Sequence, residues 1–184
     1  MNKVIFLDRD GVINRDPGEK IYVTSIKDFK FIPGVIKAVR GLSFAGYKIF
    51  IISNQQGVAK NILSEATLNE ITKQMRQNFE KEGAEIAGIY YCTHLKEESC
   101  GCRKPKPGLI KKAVKGLKVD LKDSFFIGDT ESDIKTGKAA GCKTILVLSG
   151  KTKNRNVECW QAKPDYIVND LKEAADFILN RSLR

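Results

Sequence analysis

Short apolar runs separated by helix-length amphipathic stretches govern this chain, and they leave few folds open. Residues 3–7, 48–52, 86–91, 124–127, 144–148 and 166–168 each read as a strand. Helical periodicity fills the intervals: from Pro33-Gly34 to Phe44, from a Ser64 cap to about Glu82, over 109–117 and 131–140, and over 171–179. Runs that are apolar throughout, rather than alternating, belong to strands buried on both faces. Strands alternating with helices need crossover connections, which make the sheet parallel. The expectation is an α/β fold, a Rossmann-like parallel sheet with helices on both faces. Ligands of such sheets bind beyond the carboxyl ends of the strands. The residues that follow each strand are therefore where function is sought.

The totals narrow the class. At 184 residues the chain is long enough for one domain, spanning 1–184, with a core that needs no staples. No apolar run nears the roughly 20 residues of a membrane span. The N-terminus has neither the basic nor the long apolar segment of a signal peptide. A cytoplasmic protein with no membrane contact is expected. The net charge of +10 fits a polyanion partner, steering of a small anionic substrate, or a solvated lysine-rich surface. The densest stretch places eight basic residues between Arg103 and Lys122. A basic nucleic-acid-binding protein is the alternative from a different class. Few aromatic residues stand in that stretch to stack on bases, so no nucleic-acid partner is expected.

Polar groups collect at the strand ends. Asp8 and Asp10 follow the first strand, and in an extended segment residues i and i+2 share a face, with Arg9 pointing the other way. The second strand runs into Ser53-Asn54-Gln55-Gln56-Gly57, a hydroxyl and amides where an anion could bind, or simply a polar turn. The third crossover carries Arg103-Lys104-Pro105, able to fix a phosphate, or a basic loop. The fourth strand ends in Gly128-Asp129-Thr130-Glu131-Ser132-Asp133, with Asp133 one helical turn from Asp129 on the same face, or an acid-capped helix start. Each piece alone is ambiguous. Together they bring several carboxylates, a hydroxyl and a lysine to one edge. Carboxylates gathered like this repel unless a cation sits among them. All-oxygen ligands suit Mg²⁺, which bridges to substrate phosphate.

A second cluster lies between the third strand and the next helix. Cys92-x-His94 and Cys100-x-Cys102 offer four soft donors within 11 residues, and His94 is the only histidine. Tetrahedral Zn²⁺ is the natural occupant, and four protein ligands leave no open position, so the site would be structural. The plainer reading is a group of buried thiols. Cys142 and Cys159 stand apart as ordinary thiols.

"LDRDGVIN", "SNQQGVAK", "GIYYCTH", "CGCRKPKPG" and "IGDTESDIKTGKAAG" together resemble the haloacid-dehalogenase superfamily of phosphatases. Within it they are most similar to the D-glycero-D-manno-heptose 1,7-bisphosphate phosphatases, with the histidinol-phosphate phosphatases as a related branch. The resemblance implies that Asp8 is the nucleophile and forms an aspartyl-phosphate. It implies that Asp10 protonates the leaving group and then activates water. Ser53 and Lys104 would hold phosphoryl oxygens. Asp8, the Asp10 carbonyl and Asp129 would bind Mg²⁺. Asp16, Asn54, Gln55, Arg103 and Thr130 would contact substrate, and Cys92, His94, Cys100 and Cys102 would bind Zn²⁺. The substrate implied is a small phosphorylated sugar, a heptose 1,7-bisphosphate cleaved at the 7-phosphate on the way to nucleotide-activated heptose for surface glycans. By the same analogy the protein is a monomer.

The chain departs from that pattern. Ser53 replaces a threonine, Lys60-Asn61 an Arg-Gly pair, and Thr130 a lysine. Only five residues separate His94 from Cys100, a short loop like that of the histidinol branch. The intervals between motifs leave no room for a cap domain, so residues 11–32 would form a flap beside an open site.

Overall fold

The computed structural model describes residues 2–18, 21–153 and 157–182. Residues 19 and 20, inside the expected flap, lie outside the described residues.

One six-stranded sheet organises the molecule. Its strands are β1 (Val4–Leu7), β2 (Lys48–Asn54), β3 (Gly88–Cys92), β4 (Phe125–Gly128), β5 (Lys143–Val147) and β6 (Tyr166–Val168). They lie in the order β3-β2-β1-β4-β5-β6, and every pairing is parallel. The helices are α1 (Val35–Phe44), α2 (Glu65–Lys81), α3 (Gly108–Ala113), α4 (Glu131–Ala140) and α5 (Leu171–Ser182). The expected α/β architecture is the one observed.

Successive β1 side chains alternate between two separate cores, because strand residues point to opposite faces. Ile5 and Leu7 pack with Val39 and Leu42 of α1, Phe79 of α2 and Ile178 of α5. Val4 and Phe6 pack with Leu109 and Ile110 of α3. Register places Phe6 beside both Phe50 and Phe126, and the rings line up at 6.0 and 6.3 Å. Fully burying a phenylalanine in such a ladder makes Phe6→Ala a loss of about 3–5 kcal/mol.

Boundaries shift where side-chain packing overrides local pattern. Strand β2 continues through Ser53 and Asn54, whose registers with Tyr91 and Cys92 extend the ladder into the polar segment. Strand β3 begins at Gly88 rather than at residue 86, where the Phe50 ring lies so close that a Cβ on Gly88 would stand 3.0 Å from it. Helix α3 stops at Ala113 instead of 117, and Gly116 follows with φ of 81°, a conformation that ends helices.

Candidate active site

The C-terminal ends of β1, β2 and β4 lie side by side at the middle of the sheet, so the residues that follow them converge. Asp8 directly follows β1 and is buried. Its Oδ1 accepts from the Arg9 backbone N–H at 2.7 Å and from Lys104 Nζ at 2.8 Å. Lys104 Nζ also donates to Asp133 Oδ1 at 2.5 Å. Burial alone would discharge this lysine, but the Asp133 and Asp8 charges outweigh it and raise its pKa. Asn54 clamps the same residue by its backbone, accepting from Lys104 N at 3.1 Å and donating to its carbonyl at 3.2 Å. A lysine some 50 positions from β2 is thereby set against β1.

Asp129 follows β4. Two glycines admit it: a Cβ on Gly11, at φ of 83°, would sit 2.4 Å from its Oδ2, and one on Gly150 would sit 2.1 Å away. The backbone N–H of Lys151 donates to the same oxygen at 2.8 Å. Burial, then the Asp133 and Asp8 charges, push the Asp129 carboxyl well above its usual range. Asp8 is raised as well, first by burial. Ligand oxygens of Asp8, Asp129 and Asp133 all lie within 4.8 Å of one another. Three carboxylates against one lysine leave two negative charges unbalanced at a buried spot. That donor set and that deficit fit one divalent, oxygen-seeking cation such as Mg²⁺.

Asp10 lines the same cavity as Asp8, as expected, but Arg9 departs from the expected arrangement. The chain bends after Asp8, and Arg9, expected to point away, turns its guanidinium back onto Asp10. Period-2 geometry fails here because the strand has already ended at Leu7. Arg9 Nε and Nη2 reach Oδ1 at 3.2 and 3.0 Å, and Nη2 reaches Oδ2 at 3.0 Å. Asn14 Nδ2 donates to Oδ1 at 2.8 Å, and Gln55 Nε2 to Oδ2 at 2.9 Å. Burial would raise the Asp10 carboxyl, but Arg9 and these amides outweigh it and hold the pKa below the usual carboxylate range. Its side chain is therefore separate from the cation-seeking cluster.

The remaining expected residues surround a cavity of about 290 Å³ that opens on Asp8, Asp10 and Asp129. Ser53, buried at the end of β2, accepts from Gln55 Nε2 at 3.1 Å. Asp16 and Thr130 line the wall. Thr130 spends its hydroxyl on Asp133 Oδ2 at 2.6 Å, and its N–H on the same oxygen at 3.0 Å, closing the N-terminus of α4. Arg103 Nη2 donates to Gln56 Oε1 at 3.1 Å, and Gln56 Nε2 to the Tyr22 hydroxyl at 3.2 Å. This chain of contacts fastens the flap to the loop that carries Lys104.

The strand-end motifs leave out Arg9, Asn14, Tyr22 and Lys151, which the fold brings to this site. Asp133 was read as sharing the face of Asp129, but not as the ion-pair partner of Lys104. Its position three residues after the helix cap was the available signal, since acids there close the first turn.

The 92–102 loop brings its four donors together. Sγ and Nδ1 atoms of Cys92, His94, Cys100 and Cys102 stand 3.2 to 3.6 Å apart across five pairs. A tetrahedral zinc site has edges of about 3.5–3.8 Å, so the donor set fits that ion. Lys106 Nζ donates to the carbonyls of Ser99 and Cys100 at 2.7 and 2.9 Å, pinning the loop to the segment holding Arg103 and Lys104.

Comparison with known proteins agrees on the family. The family described as HAD-hydrolase-like matches residues 101–174. The D-glycero-beta-D-manno-heptose-1,7-bisphosphate 7-phosphatase of Haemophilus influenzae is 43% identical over 158 residues, covering 82% of this chain and 84% of that protein. The Helicobacter pylori (strain ATCC 700392 / 26695) protein of the same name is 38% identical over 181 residues, covering 96% and 98%. Among solved structures, the D,D-heptose 1,7-bisphosphate phosphatase from B. bronchiseptica, complexed with magnesium and phosphate, superposes with a TM-score of 0.88 at 31% identity, over 97% of this chain and 99% of that one.

Proposed function

The chain belongs to the haloacid-dehalogenase-like phosphatases, among the heptose-1,7-bisphosphate 7-phosphatases, and from that premise we propose a reaction and a role for each residue. The enzyme is a phosphoric monoester hydrolase. Its substrate is a D-glycero-D-manno-heptose 1,7-bisphosphate, cleaved at the 7-phosphate. The observation that carries this reading is Asp8: both protein bonds fall on its Oδ1, it faces the cavity, and Lys104 stands against it.

An Asp8 carboxylate oxygen attacks phosphorus, forming the aspartyl-phosphate as the bond to the sugar oxygen breaks. Asp10 gives its proton to that departing oxygen. Water then attacks phosphorus, its proton passes to Asp10, and the Asp8–phosphorus bond breaks to release inorganic phosphate. Asp10 is ionised in the resting site, the form the hydrolytic half uses. An arriving phosphate dianion raises its pKa by like-charge repulsion, which favours the protonated form the first half needs. Ser53 and Lys104 hold the phosphoryl oxygens. Asp8, Asp129 and the Asp10 carbonyl would hold Mg²⁺, with Asp133 keeping Lys104 in place. Bound there, Mg²⁺ neutralises charge on the phosphoryl group and on Asp8. Arg103, Asn54, Gln55, Asp16 and Thr130 line the path of the sugar and its second phosphate.

Cys92, His94, Cys100 and Cys102 hold a structural Zn²⁺ that sets the course of Arg103 and Lys104. Thiolate ligands need reduced cysteines, which supports a cytoplasmic enzyme. The residues given roles here all follow strands of one sheet or line the loops beside them, so one copy of the chain suffices for the chemistry, and a single-domain monomer is the working unit proposed. Phosphate release from both heptose bisphosphate anomers and from histidinol phosphate, compared as kcat/KM, tests the substrate. A preference for histidinol phosphate overturns the heptose assignment and leaves the hydrolase.

A further inference from the structure

Arg9 is the largest side chain buried without exposure, and a full charge in that position needs a reason. Its only carboxylate partner among the described residues is Asp10. The guanidinium lies 5.8 Å from the centre of the Tyr91 ring, whose hydroxyl pairs with Thr72 of α2 at 3.0 Å. Among the described residues, Nη1 has no hydrogen-bond partner. A pair of this kind is a weak source of stability, because replacing both members with apolar side chains is often neutral or favourable. Its effect here is geometric. The fork of Arg9 grips both oxygens of Asp10 and holds the carboxylate against Gln55, whose amide also reaches Ser53, while Asp10 stays outside the group formed by Asp8, Asp129 and Asp133. Without that grip, a fourth carboxylate would stand beside three that already seek a cation.

We infer that Arg9 is a positioning residue of the reaction: it reserves the Asp10 carboxylate for proton transfer by fixing its orientation and keeping it out of the cation cluster. This rests on the role given to Asp10 above. That role requires the Asp10 proton to meet the leaving oxygen as the bond to phosphorus breaks. A misdirected carboxyl would slow this step for a sugar alkoxide. It would matter little for nitrophenolate, which leaves without a proton.

The test compares Arg9→Met, Arg9→Lys and Asp10→Asn in single-turnover release of the leaving group, from a sugar phosphate and from p-nitrophenyl phosphate. Mg²⁺ binding to metal-free protein is measured by calorimetry alongside. Arg9→Met should slow sugar release about 10- to 100-fold and nitrophenol release only a few-fold. It should tighten Mg²⁺ binding as Asp10 joins the cluster. Arg9→Lys, with charge but no fork, should fall between. Combined with Asp10→Asn, Arg9→Met should add no further selective loss. Equal loss with both leaving groups, or no loss, overturns the inference. Should Arg9→Met fail to fold, Arg9→Lys is judged by the same criterion. If Asp10→Asn itself shows no leaving-group dependence, the role of Asp10 falls. If only the Arg9 variants lack it, the positioning role falls alone.

Discussion

The carboxylate cluster at the strand ends and the cysteine–histidine cluster on the 92–102 loop are assembled in opposite ways. Asp8, Lys104, Asp129 and Asp133 come from distant parts of the chain, are buried, and meet because three parallel strands end together. Cys92, His94, Cys100 and Cys102 come from one short loop, with His94 exposed and only Cys92 buried. The first cluster exists because the fold exists, and its geometry precedes any ion. The second packs Cys92, Cys100 and Cys102 against the core around α3 but leaves His94 exposed, so an ion held as proposed would tie down the outer part of its loop. On the roles proposed above, one site would fail by chemistry and the other by loosening of its loop.

The largest separation between the two should come from Asp8→Asn. Turnover should drop by about 10⁴-fold or more, the size of losing a nucleophile, while zinc content and thermal unfolding stay as in the wild type. Residual turnover near the wild-type rate, measured as phosphate release, would remove Asp8 from its role. Lys104→Met tests whether the carboxylate cluster also bears on stability. It strands Asp133 and Asp8 without their cation, and breaking a buried pair costs about 3–5 kcal/mol. For a chain of this length the melting temperature should fall by about 10 °C in calorimetry. An unchanged melting temperature would mean the buried charges are relieved some other way.

Cys100→Ser addresses the other side. Zinc should be lost by elemental analysis, and protease should cut within residues 93–101. The sheet should melt near its usual temperature, and kcat/KM should fall about tenfold as Arg103 and Lys104 loosen. A loop that stays resistant without zinc would contradict its dependence on metal. Asp129→Asn sharpens the same point for magnesium. In the wild type, Mg²⁺ at 100 times its dissociation constant should stabilise by about 2.7 kcal/mol. The variant should lose this response and be the more stable of the two when metal-free, because one repelling carboxylate is gone.

The smallest effect lies far from both clusters. Asp165 accepts from Thr144 N and Oγ1 at 2.7 Å each and from Lys138 at 2.9 Å. Burial would raise its pKa, but Lys138 and Thr144 outweigh it and lower it. A lowered carboxylate gives stability above its ordinary value that is lost as pH falls through the lowered one. Asp165→Asn should therefore melt on the order of 2 °C lower at neutral pH, the pair being half-exposed and screened. The difference should vanish below the ordinary carboxylate range.

Much of the carboxylate site was legible because each piece follows an apolar run: Asp8 after β1, Ser53 at the end of β2, Asp129 after β4. The zinc donors were legible because their spacing is local. What escaped depends on contacts that no local pattern carries. Arg9 is misdirected because period 2 is extended three residues past the end of the strand at Leu7. The clamp of Asn54 on Lys104 joins positions 50 apart through backbone atoms. Gly150 admits Asp129 for lack of a side chain, and its neighbours in sequence say nothing of that.

The central place of β1, paired on both sides by strands that follow it in the chain, bears on how the enzyme is made. Asp8 leaves the ribosome well before β4 does. Its strand gains its first neighbour with β2, and its second only when residues 125–128 have been translated. At the roughly 5–20 residues per second of synthesis, the wait lasts on the order of ten seconds. During that time the proposed nucleophile has neither Asp129 nor Asp133 beside it. On the roles proposed above, a nascent chain would be inert toward the phosphate esters around it, and hydrolysis would begin only once β4 has closed the middle of the sheet.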